Sequence, residues 1–189
     1  MSLAHAVLTS LIEKSSSGYD LARRFDKSIG YFWHATHQQI YRELARMEEK
    51  GWVESSVPPD AGKTRKREYR VLPAGRAELR RWTQESSPMM DLRDEFMIKL
   101  RADAVLNEVD LAHELRTRIA AHQAKLAHYR DIELRDFVGK KPQTRESRIH
   151  HMILKKGIMF ELGSIAWNME MLQVLAESES QASTLCGSR

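Results

Sequence analysis

The chain has 189 residues, 42% hydrophobic and 30% charged, which suits one ordinary domain or two small ones with a real core and a soluble, largely helical character. Its formal net charge of +4 is uneven: residues 1–85 carry 15 Lys+Arg against 11 Asp+Glu and residues 86–189 carry 15 against 15, so an anionic partner is expected at the N-terminal half. The single cysteine, Cys186, excludes an intrachain disulfide and a thiolate metal cluster, and no apolar run approaches the roughly 18 residues that span a bilayer.

"MSLAHAVLTSLIEKSSS" lacks the basic start of a signal peptide and reads as a helix, so the expected location is cytoplasmic. Leu3, Val7, Leu8, Leu11 and Ile12 form its apolar stripe. "SSSGYD" interrupts, with a serine able to cap a second helix over 19–28 that carries Leu21, Ala22 and Phe25. "IGYFW" (29–33) is too short for another helix of ordinary length. Thr36, with Gln39 three residues on, makes a capping-box pattern at the head of a third helix. Ile40, Leu44 and Met47 share one face of that helix, and Gly51 stands where it ends. "WVESSV" (52–57) and "REYRVL" (67–72) read as two strands joined by a long basic loop, and Pro73 opens a helix through "AGRAELRRWTQE".

After the short junction "SSPMM" (86–90) the chain changes character. "DLRDEFMIKLRAD" predicts a helix of about three turns, and two long helices follow. Leu115, Ile119, His122, Leu126 and Tyr129 give the first a coiled-coil seam. In the second, Ile149, Ile153, Gly157, Phe160, Ser164, Trp167, Met171 and Val174 read as the seam. Leu154, Ile158, Leu162, Ile165, Met169 and Leu172 lie off that stripe, so this helix must be covered from more than one side, and a second chain is the economical cover.

Three helices followed by a hairpin with a basic loop is the order of a winged helix-turn-helix. Opposite the Ile40 face of the third helix lie Gln38, Arg42 and Ala45, flanked by Gln39 and Tyr41. Glutamine can pair with adenine in two hydrogen bonds and arginine with guanine, while Ala45 lets the helix approach. Lys63, Arg65, Lys66 and Arg67 can neutralise phosphates, which supplies affinity and register without reading sequence. Tyr69 suits a packed strand position better than a base-stacking platform.

"GYDLARRF", "THQQIYRELARMEEKGWV" and "GKTRKREYRVLPAGRAEL" together resemble the PadR family of bacterial transcription regulators, over about residues 3–83. "LRDEFMIKLRAD" and "KKGIMFELGSIAWNMEMLQVL" resemble the helical C-terminal dimerisation domain of the subgroup that includes the virulence-gene activator type. The chain departs from the family pattern at Arg42, where a proline usually follows the Ile-Tyr of the third helix. It departs again at Leu72, where a capping threonine is usual. The resemblance implies a mainly α protein: a winged helix-turn-helix over 1–86, a helical dimerisation and effector domain over 87–177, and a disordered tail over 178–189. It further implies a homodimer on double-stranded DNA, most simply a repressor at a pseudo-palindromic operator.

Relatives of this kind often respond to aromatic acids. Tyr19, His122, His151 and Trp167 are the candidate effector-pocket residues, although His122 also fits a satisfied interface histidine. His34 and His37, and the pair His150-His151, fall short of the three or four converging ligands a metal needs, so no metal or other cofactor is expected. "ELGSIAW" lacks a nucleophile elbow, and no catalytic residue is expected. An alternative stays open: a dimeric helical scaffold whose basic hairpin binds a protein or an RNA.

Overall fold

The computed structural model describes residues 3–26, 33, 35–57, 66–89, 93–106, 109–139 and 144–186. Contacts divide the chain into two units, Met1–Met90 and Asp91–Arg189, four residues beyond the expected 86/87 boundary.

The first unit contains α1 (Leu3–Glu13), β1 (Ser16–Ser17), α2 (Gly18–Asp26), α3 (His37–Glu49), β2 (Val53–Ser56), β3 (Glu68–Val71) and α4 (Pro73–Thr83). Val7, Leu8 and Leu11 of α1, Leu21 and Phe25 of α2, Ile40, Leu44 and Met47 of α3, and Val53 of β2 share one core, none more than 2% exposed. The apolar stripes that define the helices in sequence are the same residues that meet there. α3 begins with the capping box: Gln39 N donates to Thr36 Oγ1 (3.2 Å) and Thr36 N to Gln39 Oε1 (2.8 Å). It ends before Gly51, whose φ of +67° is a left-handed geometry that glycine takes without strain.

The sheet has three strands in the order β1-β3-β2, both pairings antiparallel. β2 and β3 are the expected hairpin, with Ser55 opposite Tyr69. β1 is an addition: Ser16 pairs with Tyr69 and Ser17 with Glu68, where the sequence suggested only a break. Ser17 also caps α2, accepting from Asp20 N (3.1 Å) and donating to Asp20 Oδ2 (2.6 Å), which holds the Asp20 carboxyl below its usual range. Arg24 reaches back from α2 to donate to the Ser10 and Lys14 carbonyls (2.5 and 2.7 Å), satisfying the end of α1.

α4 starts at Pro73 with Leu72 in the cap position and no side-chain cap, as the sequence indicates. It packs tightly on the hairpin stem, because a Cβ at Gly75 would lie 2.3 Å from the Trp52 carbonyl oxygen. His5 joins α1 to α4, stacked on Trp82 with ring centroids 4.5 Å apart and bonded to Glu78 (3.0 Å). Arg81 and then His5 hold the Glu78 carboxyl down at about 2.

The second unit contains α5 (Glu95–Leu106), α6 (Ala112–Asp136) and α7 (Arg145–Cys186). α7 is assigned as a single helix from Arg145 to Cys186. Phe96, Leu100, Leu111 and Leu115 form a second core, against which Met171, Leu172 and Leu175 pack. α6 and α7 are antiparallel, with His122 meeting Glu161, Tyr129 meeting Gly157 and Glu133 meeting His151. Among the described residues, no helix is long and apolar enough to cross a membrane.

The α6 seam lies where its spacing puts it: Leu115 and Tyr129 are buried, and Ile119, His122 and Leu126 half-buried. The α7 seam does not. The residues that α7 turns inward are Leu154, Ile158, Glu161, Ile165, Asn168, Leu172 and Leu175, all buried or half-buried at 4-3-4-3 spacing. The stripe expected as the seam lies mostly outside, with Ile149, Ile153, Phe160, Trp167 and Val174 exposed. The polar members Glu161 and Asn168 conceal the true seam in the sequence.

Candidate nucleic-acid interface

The outer face of α3 carries Gln38, Arg42 and Ala45, all exposed, directly opposite the buried Ile40, Leu44 and Met47. Neither Gln38 nor Arg42 has a hydrogen-bond or ion-pair partner among the described residues, so both side chains are free to meet an outside ligand. Gln39 is different. Its side-chain oxygen is occupied by the cap, accepting from Thr36 N and Thr36 Oγ1, so its first role is to set the start of the helix. Tyr41 is 45% exposed and lies against the start of α2, since a Cβ at Gly18 would come within 2.5 Å of its ring.

Of the four basic wing residues, Lys63 and Arg65 lie outside the described residues. Lys66 sits at the foot of β3 with its ammonium 5.5 Å from the centre of the Tyr19 ring, and the guanidinium of Arg23 lies 5.7 Å from the same ring. Arg67 is engaged within the fold, 3.5 Å from Glu48, a carboxylate that also accepts from Ser55 N (3.2 Å) and Ser55 Oγ (2.5 Å). That ties the hairpin to the end of α3 and offsets the charge Arg67 would bring to a phosphate. Tyr69 packs against the core, and burial raises its hydroxyl above the ordinary tyrosine range.

Of the four expected effector residues, Tyr19 lies in the first unit and His122, His151 and Trp167 in the second. Tyr19 belongs to the first unit, half exposed between Arg23 and Lys66 on the wing side. His122 Nδ1 is 2.5 Å from Glu161 Oε2, within the α6–α7 seam. His151 bonds Glu133 (2.7 Å) and stacks on Phe137, centroids 4.6 Å apart. Trp167 is 40% exposed on the outward side of α7. Arg23 was not foreseen; its signal, an exposed arginine one turn after an exposed tyrosine on α2, is present in "YDLAR" but weak by itself.

A capped helix with an exposed Gln/Arg/Ala face and a hairpin that carries basic residues lie in one unit, which is the chemistry a duplex nucleic acid calls for. Residues 7–81 match the "Transcriptional regulator PadR-like family" and residues 92–176 the "Virulence activator alpha C-term" domain. A probable transcriptional regulator of Mycobacterium tuberculosis is 40% identical, over 94% of this chain and 99% of its own. The structure of the Vibrio cholerae virulence activator AphA superposes with a TM-score of 0.77 at 32% identity, covering 95% of this chain and 99% of that one. Bacillus subtilis PadR in complex with operator DNA gives a TM-score of 0.80 at 26% identity, covering 91% and 97%. The same protein in complex with p-coumaric acid gives 0.75 at 25%, covering 92% and 95%.

Proposed function

The chain belongs to the PadR-like family of transcriptional regulators, whose members are not enzymes, and we propose that it is a repressor that binds a pseudo-palindromic operator as a homodimer. The observation that carries this reading is the free face of α3, where Gln38 and Arg42 stand unpartnered opposite a fully buried Ile40-Leu44-Met47 row. α3 enters the major groove, Arg42 and Gln38 read bases, and Lys63, Arg65 and Lys66 hold the backbone. The operator-bound B. subtilis relative and its description as a negative transcriptional regulator support both the target and the sign. The scaffold alternative, with a hairpin that binds protein or RNA, gives no account of the free α3 face.

Titration of duplex DNA from the protein's own promoter against a scrambled duplex, by fluorescence anisotropy, tests this. Arg42→Ala is expected to cost about 1–3 kcal/mol on the cognate site and much less on the scrambled one. Equal losses on both would remove Arg42 as a base reader, and no preference in the unaltered protein would remove the operator reading.

Release by an aromatic acid is the finer part of the proposal, and the p-coumaric acid complex of the B. subtilis protein supports it. His122 and His151 are engaged with Glu161 and Glu133, so a ligand that uses them must displace a carboxylate first. Millimolar p-coumarate is expected to quench tryptophan fluorescence and to weaken operator binding about 5–150-fold. Unchanged operator affinity at that concentration would remove this effector class and leave the repressor standing.

A further inference from the structure

Where the end of α1, the head of α2 and the foot of β3 meet, the first unit opens a cavity of about 490 Å³. That volume suits a small organic molecule better than a single ion. Its lining divides into groups the fold has used and groups it has not. Arg24, the only guanidinium there, is occupied by the Ser10 and Lys14 carbonyls and by Ser16 Oγ (2.7 Å). The Ser16 hydroxyl donates to the Lys14 carbonyl (2.9 Å), and the Ser17 hydroxyl serves Asp20. Lys14, Ser15, Lys66 and Glu68 remain. Among the described residues none of these four side chains has a hydrogen-bond or ion-pair partner, although the Lys66 ammonium faces the Tyr19 ring at 5.5 Å.

Two ammonium groups and a hydroxyl suit a phosphate, which accepts point charges from any side. A carboxylate ligand calls for the flat fork of an arginine, and Arg24 is turned onto its own backbone. The acids of the cavity narrow the choice further. Asp20 stays ionised, its carboxyl held below the ordinary range by the Ser17 hydroxyl, with Lys66, Arg23 and Lys14 adding to the effect. Glu68 is half-buried at the start of β3. An ionised carboxylate only accepts hydrogen bonds, so these two acids call for hydroxyl groups on the ligand, as the acid of a dinucleotide site does for a ribose. A DNA backbone brings phosphate without a free hydroxyl, and two carboxylates disfavour it here.

We propose that this cavity binds a phosphorylated sugar, free or as the ribose phosphate of a nucleotide. Lys14 and Lys66 hold the phosphate, Ser15 donates to it, and Glu68 and Asp20 accept from the sugar hydroxyls. Lys66 is also one of the cations assigned to the operator backbone, so the bound ligand takes one phosphate contact away from DNA. That coupling rests on the proposed function, whereas the site itself does not.

Calorimetric titration of the full chain with ribose 5-phosphate, AMP, ribose and inorganic phosphate tests the site. Ribose 5-phosphate is expected to bind about tenfold or more tightly than either ribose or inorganic phosphate, since each of those keeps only half of the contacts. Lys14→Ala and Glu68→Thr are each expected to weaken it about tenfold, and both should melt with the unaltered protein because neither side chain has a partner within the fold. Tighter binding of AMP than of ribose 5-phosphate marks a nucleotide as the source, and equal binding marks a free sugar phosphate. Inorganic phosphate that binds as tightly as ribose 5-phosphate, full affinity in Lys14→Ala, or no binding of either sugar phosphate at millimolar concentration would overturn the site. With ribose 5-phosphate bound, the salt slope of operator binding is expected to flatten by about 0.9, one phosphate contact. An unchanged slope and affinity would overturn the coupling alone, and a protein that binds no operator with or without the ligand would overturn the proposed function instead.

Discussion

A chain cut after Ser86 is expected to bind a full operator about 10²–10⁴-fold more weakly than the intact protein, while keeping its fold. The fold survives because the first core draws only on residues up to Val53 with Trp52, Tyr69 and Val71 packed around it. The His5–Glu78 and His5–Trp82 contacts that fasten α4 also lie before the cut, as does the end of α4 at Thr83. The loss of affinity has a separate origin. Two half-sites about one helical turn apart reward a protein whose second winged helix is tethered to the first, because the second contact becomes intramolecular. Each α3 keeps its Gln38 and Arg42, so the cut chain should hold a single half-site about as well as one arm of the dimer does. Sedimentation and anisotropy on full and half operators measure both quantities. A cut chain that still sediments as a dimer would move the interface into the winged-helix unit.

What was legible in the sequence was local. The capping box of α3 needs only Thr36 and Gln39, and the hairpin needs only two short strands around a turn, so both were readable. The uncapped start of α4 at Pro73 was readable for the same reason. β1 was not, because two serines carry no strand propensity and become a strand only by pairing with Glu68 and Tyr69, some fifty residues away. The inward face of α7 was hidden by chemistry. A search for apolar periodicity selects Ile149 through Val174 and passes over a seam that contains Glu161 and Asn168. Only the position of His122 on α6 shows that Glu161 belongs inside. Arg67 shows the same limit at the site: its place in a basic loop does not reveal that Glu48 lies 3.5 Å away, while its side chain stays 58% exposed.

His122→Ala is expected to cost about 3–5 kcal/mol of stability. Glu161 is only 2% exposed and its carboxyl meets His122 at 2.5 Å, so truncation of the histidine leaves a buried acid without that partner. The second histidine bridge between α6 and α7 gives a built-in contrast. His151 and Glu133 keep side-chain exposures of 18% and 25%, so water can replace the lost partner, and His151→Ala is expected to cost nearer 1 kcal/mol, part of it from lost stacking on Phe137. Replacing both members of the pair, as His122→Leu/Glu161→Leu, is expected to bring stability back to within about 1 kcal/mol of the starting protein or above it, because the buried carboxylate is then gone. Urea unfolding at one fixed protomer concentration measures all three, since the stability of the proposed dimer would depend on concentration. If His122→Ala and His151→Ala cost the same, burial of Glu161 is not what gives the pair its weight. If the double leucine variant is stable but its helices no longer pair in one register, the bridge has a specifying role. A slip of α7 by one heptad would set Glu161 opposite Leu115, which offers no donor, or opposite Tyr129, whose hydroxyl offers a hydrogen bond without a positive charge.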